Sequence, residues 1–183
     1  DYHKQQLQFL GYHFRKKQWV LKAPVHLFFL KYLFKTYPDA QIVHLHRDPL
    51  EVIPSMASLV VISRQIHSNN VNSEETANQI LNWTRKIITN SIAFRDETGS
   101  DQFLDLAYTD LVKDPFNTLT QIYKWLGVDI NNEIQSDISS WLENSKRKRT
   151  GKAHHYSLEQ FNLTETKIQN EFNHYYDRYE DYI

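Results

Sequence analysis

Ala40-Gln41-Ile42-Val43-His44-Leu45-His46-Arg47-Asp48-Pro49 is the stretch that decides how this chain is read. Residues 41–46 read as a short buried strand, apolar and β-branched enough to sit in a sheet. A strand that ends in an arginine, turns through Asp-Pro and feeds a helix is a natural anion site. Asp48 can cap the helix, and Pro49 suits its first position, where the missing N–H costs nothing. Free N–H groups at the helix start are then expected to face the same space as the Arg47 guanidinium, and a phosphate would satisfy both. Ser55 stands close behind and adds a hydroxyl. The competing reading is an arginine paired with a carboxylate at the strand end.

The chain around this stretch alternates strands with amphipathic helices. Upstream, residues 2–17 carry Leu7, Leu10 and Phe14 at helical spacing. Trp19-Val20-Leu21-Lys22 is short, apolar and β-prone, and is expected to be a buried strand. Pro24 opens a helix that Tyr37-Pro38 stops, because proline disfavours helix in the residue before it. Downstream, a helix is expected over 49–67 with Pro54 inside it, so that either the helix kinks there or it starts at Pro54. Further helices are expected at 74–97, 115–126, 131–144 and 164–180, a third strand at 102–107, and an irregular basic loop at 145–163. This order predicts an α/β domain on a central parallel sheet. Such sheets bind ligands beyond the carboxyl ends of their strands. Lys22 to His26, Arg47 to Ser55 and Tyr108 to Asp110 all fall there.

Composition narrows the class. At 183 residues, with 40% hydrophobic and 23% charged residues, the chain is long enough for one domain with a real core. A formal charge of −1 gives nucleic-acid binding no support. There is no cysteine, which excludes disulfides, thiolate catalysis and cysteine-based metal sites. No apolar run approaches the roughly 20 residues of a membrane helix, and no targeting segment is recognisable, so a cytoplasmic location is expected. With four glycines in all, neither a Walker-type phosphate loop nor a dinucleotide Gly-x-Gly-x-x-Gly turn can be written.

The residues beyond the strand ends supply chemistry. Lys22 beside a helix start suits an anionic ligand. His26, with an ordinary pKa near 6.5, can take a proton from a hydroxyl near neutral pH. The commoner outcome for either residue is a surface cation or a hydrogen-bonded helix-start histidine. His44 and His46 alternate along their strand, where each could be core or surface. Arg149 and Lys152 in Lys146-Arg147-Lys148-Arg149-Thr150-Gly151-Lys152 could clamp phosphate, with Gly151 letting the backbone bend close. The same run could equally be a solvated basic loop.

Together these segments resemble the PAPS-dependent sulfotransferases, in particular their bacterial-type branch. The resemblance rests on Trp19 to Leu27, on Tyr37 to Pro49 with Ser55 in register, on Leu104 to Leu111, on Asp114-Pro115 with the helix to Gly127, and on Gly151 to Phe161. It implies a three-layer, P-loop-NTPase-like α/β fold with a central parallel sheet, occupied here by a single partial domain over 1–183. The family's first strand and its 5′-phosphosulfate loop have no match at 1–18. The implied donor is 3′-phosphoadenosine 5′-phosphosulfate (PAPS), leaving 3′-phosphoadenosine 5′-phosphate (PAP), with no metal. By the same resemblance Arg47 and Ser55 hold the 3′-phosphate, Arg149, Gly151 and Lys152 close over it, and Tyr108 approaches the adenine. Lys22 steadies the transferring group, and His26 is the base. The implied acceptor is a hydroxyl on a small or lipid-like molecule. Two rivals stand beside this reading: an inactive nucleotide-binding remnant or interaction module of the same fold, and a kinase using a nucleoside triphosphate. The missing Walker lysine argues against the second.

Overall fold

The computed structural model describes residues 2–13, 18–99, 101–148 and 156–183. Two strands, β1 (Ile42–His46) and β2 (Phe103–Ala107), pair in parallel, with Ile42 beside Phe103 and His46 beside Ala107. Both end at the same level, so the residues that follow them, Arg47 and Tyr108, leave the sheet side by side. The unit that holds the sheet also holds α3 (Pro49–Gln65), α5 (Tyr108–Lys113), α6 (Pro115–Trp125), α7 (Asn132–Lys148), α8 (Glu165–Glu171) and α9 (Asn173–Tyr179). The chain's other helices are α1 (Tyr2–Leu10), α2 (Leu30–Thr36) and α4 (Ser73–Thr98). The architecture is α/β on a parallel sheet, as the alternation predicts.

The chain divides into two compact units. The first, Asp1–Ala40 with Lys86–Gln102, holds α1, α2 and the second half of α4. Leu30 and Ile87 are buried in it, Phe34 stacks on Phe94, and the Gln102 side chain donates to the carbonyls of Pro38 and Ala40. The second, Gln41–Arg85 with Phe103–Ile183, holds the sheet and its core of Ile53, Ala57, Leu81, Leu106, Phe161, Ile168 and Phe172.

Several expectations need correction. Trp19 to Lys22 forms no strand; Val20 is 90% exposed. A strand needs a neighbour to satisfy its N–H and C=O groups, and no described segment pairs with this one. Pro24 opens a 3₁₀ turn, Pro24–Phe29, before α2 begins, so His26 sits in that turn rather than in an α-helix. α3 starts at Pro49 and carries Pro54 in its interior, which resolves the choice left open above. A short helix, α5, follows β2 without a loop, and the region expected as one helix over 164–180 divides at Phe172 into α8 and α9. α7 runs on to Lys148, past its expected end.

β1 also turns out differently from a plain apolar strand. Its buried side chains are His44 and His46, while Val43 and Leu45 on the other face are partly exposed. Polar side chains can occupy a core only where partners satisfy them. Asp105 supplies one, directly across from His44 in the register.

Candidate anion-binding site

Arg47 follows the last residue of β1, and its guanidinium carbon lies 4.6 Å from the centre of the Tyr108 ring. This contact is what the parallel register dictates, since His46 pairs with Ala107 and the next residues become neighbours. Stacking of a guanidinium on an aromatic face fixes its plane and leaves its edge for a ligand. Nε of Arg47 donates to Glu51 one helical turn on, at 2.7 Å. Among the described residues no partner takes its terminal amino groups. The Glu51 hydrogen bond, together with the nearby charges of Glu51, Tyr108 and Tyr156, keeps the guanidinium protonated even against partial burial. Ser55 lies further along α3, on its partly buried side.

The helix start is built as expected, but its N–H groups are not free. Pro49 has none. Leu50 N–H donates to the Asp48 carboxylate at 2.8 Å, while the amides of Glu51 and Val52 both donate to the Asp48 carbonyl, at 2.9 and 3.0 Å. The cap therefore consumes the donors that sequence assigned to a phosphate. The groups left at this turn for an anion are side chains, the Arg47 guanidinium and the Ser55 hydroxyl.

Behind Arg47 lies a buried polar layer that the sequence did not reveal. His46 is fully buried; its Nε2 lies 2.8 Å from Asp105 Oδ1 and its Nδ1 lies 3.0 Å from the Tyr175 hydroxyl. An ionised carboxylate can only accept, so Nε2 donates to Asp105, while Nδ1 pairs with the tyrosine hydroxyl. The His46 ring also lies 4.1 Å, centre to centre, from that of Tyr179. Tyr176, next along α9, donates to Asp48 Oδ1 at 2.6 Å. His44, His46 and Asp105 bring their ligand-type atoms within 4.8 Å of one another, a set that could hold a metal ion. To bind one through Nε2, His46 would have to give up its bond to Asp105.

In the other unit, Lys22 is exposed on irregular backbone. His26 is partly buried, and desolvation, aided by the charge of His3, pushes its pKa below the ordinary value. Arg149, Gly151 and Lys152 lie outside the described residues. The structure thus brings Arg47 and Tyr108 together, adds Glu51, Asp48 and three C-terminal tyrosines, and places Lys22 and His26 in a separate unit.

Residues 1–132 match the model of the family described as "Sulfotransferase family". The chain belongs to the sulfotransferase family. Two curated relatives, the omega-hydroxy-beta-dihydromenaquinone-9 sulfotransferases of Mycobacterium bovis and Mycobacterium tuberculosis, are each 30% identical over 119 residues, or 62% of this chain and 30% of theirs. The chain thus spans less than a third of the length of these relatives. A crystal structure of a Mycobacterium tuberculosis sulfotransferase superposes with a TM-score of 0.76 at 30% identity, over 93% of this chain and 43% of that one. A Mycobacterium avium sulfotransferase shares the fold with a TM-score of 0.80 at 23% identity, over 88% of this chain and 42% of that one.

Proposed function

We propose that this chain carries the nucleotide-binding part and the base of a PAPS-dependent sulfotransferase, with both units belonging to one domain. Arg47 and Ser55 hold the 3′-phosphate of the donor, and Tyr108 lies against the adenosine. Arg149, Gly151 and Lys152 close over the same phosphate. The observation that carries this reading is the guanidinium of Arg47, set on the Tyr108 ring just beyond the carboxyl ends of two parallel strands. Such a rim is where open α/β sheets bind ligands.

The reaction is an in-line displacement at sulfur. His26 takes the proton of the acceptor hydroxyl as the acceptor oxygen forms its bond to sulfur. The bond from sulfur to the phosphate oxygen of PAPS breaks, and PAP leaves with that electron pair. Lys22 supports the negative charge gathering on the sulfuryl and leaving oxygens. The lowered pKa of His26 suits this role, because the imidazole is then largely neutral at neutral pH. The acceptor is a hydroxyl on a small or lipid-like molecule. The omega-hydroxylated quinone lipid in the name of the curated relatives supports this class.

Thermal unfolding with added PAP tests the reading. A rise in midpoint that disappears in Arg47→Ala supports it, since a ligand that binds the folded state stabilises it by mass action. No rise at millimolar PAP contradicts it. Binding without sulfuryl transfer would favour the nucleotide-binding remnant.

A further inference from the structure

The C-terminal helix α9 lies outside the stretch matched by the family, yet it reaches the element that carries Arg47. Tyr176 donates to Asp48 Oδ1, the same oxygen that caps the Leu50 amide. Tyr175, its neighbour, hydrogen-bonds His46. Two adjacent tyrosines of one helical turn thus engage the residues directly before and after Arg47. Arg47 itself touches neither phenol through its side chain; it stacks on Tyr108 and donates to Glu51.

From this bracketing contact we infer that Tyr176, with Tyr175 beside it, is a positioning residue for the anion site. It holds the Asp48 carboxylate in its capping rotamer and so fixes where the strand-to-helix turn presents the Arg47 guanidinium. The inference rests on the nucleotide reading given above. Asp48 has two tasks that need one rotamer: accepting from Leu50 and receiving Tyr176. A carboxylate held from two sides has less freedom to swing toward the adjacent guanidinium, where it would compete with an incoming phosphate. Both phenols are suited to donate. Burial is the largest cause raising the pKa of each, and for Tyr176 the Asp48 carboxylate adds to it, so the hydroxyls keep their protons throughout the pH range of folded proteins. The tyrosine ring that remains after removal of the hydroxyl still fills its place, so Tyr176→Phe removes the bond with little change in packing.

The test compares two nucleotides that differ at one group. Affinities for PAP and for adenosine 5′-phosphate are measured by titration calorimetry on the unaltered chain, Tyr176→Phe, Asp48→Asn and Arg47→Ala, with exchange of the Leu50 amide followed by NMR. Asp48→Asn keeps a good capping residue and removes the charge that the phenol prefers. The expected result is a loss of PAP affinity of about three- to tenfold in Tyr176→Phe and in Asp48→Asn, the scale of one hydrogen bond. Affinity for adenosine 5′-phosphate stays within error, and the Leu50 amide exchanges faster in Tyr176→Phe. An unchanged preference for PAP in Tyr176→Phe, alongside a preference abolished in Arg47→Ala, overturns the positioning role and leaves the nucleotide reading standing. Equal affinity of the unaltered chain for both nucleotides overturns the nucleotide reading, and the positioning role with it.

Discussion

Arg47 is in competition with its own helix. Its Nε–H is bound to Glu51, whose carboxylate stands where it can oppose an incoming anion. The Glu51 side chain is 59% exposed, so the pair is a surface one worth about 1 kcal/mol at most. Glu51→Gln is therefore expected to tighten PAP binding by up to about fivefold, measured by titration calorimetry at low salt and diminishing as salt is added. Arg47→Lys should lose most of the affinity despite keeping the charge, because an ammonium neither stacks on Tyr108 in the same plane nor offers two parallel donors. On the proposed mechanism His26 sets the pH response. Its pKa is held down by desolvation first and by His3 second, so the acidic limb of the rate profile should lie below the range of an ordinary histidine. Removing the second cause in His3→Gln should move that limb to higher pH, read from sulfuryl-transfer rates across the acid range. If the limb stays where it is, His26 is not the base that the profile reports.

At the scale of elements, helix starts were legible in the sequence, and long-range partners were not. Asp48-Pro49 and Asp114-Pro115 each announce a helix start, and each aspartate does cap its helix, through Leu50 and Asn117. Asp114→Ala should cost about 0.5–2 kcal/mol in urea unfolding, whereas Asp114→Asn, an equally good cap, should cost little. The first turn of α3 differs from the local expectation: of the N–H groups expected to be free, two donate to the Asp48 carbonyl. Trp19 to Lys22 has the composition of a strand, but composition cannot supply the neighbour that a strand requires. The burial of His44 and His46 in place of Val43 and Leu45 was equally hidden. It depends on Asp105 across the sheet and on Tyr175 far along the chain, and neither is visible in a local window. Asp105→Ala should accordingly destabilise the protein by about 1–3 kcal/mol in the same assay, because the buried His46 N–H loses its acceptor.

At the scale of the whole molecule, the parallel α/β architecture followed from the alternation of strands and helices, and the family from the stretches around Trp19 to Leu27, Tyr37 to Pro49 with Ser55, Leu104 to Leu111, Asp114 to Gly127 and Gly151 to Phe161 read together. The order of Arg47 and Tyr108 along the chain matters as much as their identity, since parallel pairing of β1 with β2 brings both strand ends to one rim. The C-terminal tyrosines escaped notice because α9 reads simply as a polar helix, and nothing in its spacing points to Asp48 or His46. Their contacts show how residues near the end of the chain come to support a turn set more than a hundred positions earlier. Among the described residues no helix is long and apolar enough to cross a membrane. A crystal structure of the chain with PAP bound tests the central claim most directly. The account predicts the 3′-phosphate about 3 Å from both the Arg47 guanidinium and the Ser55 hydroxyl, with the adenosine against Tyr108. PAP seated elsewhere, with Arg47 still engaged only by Glu51 and Tyr108, would contradict it.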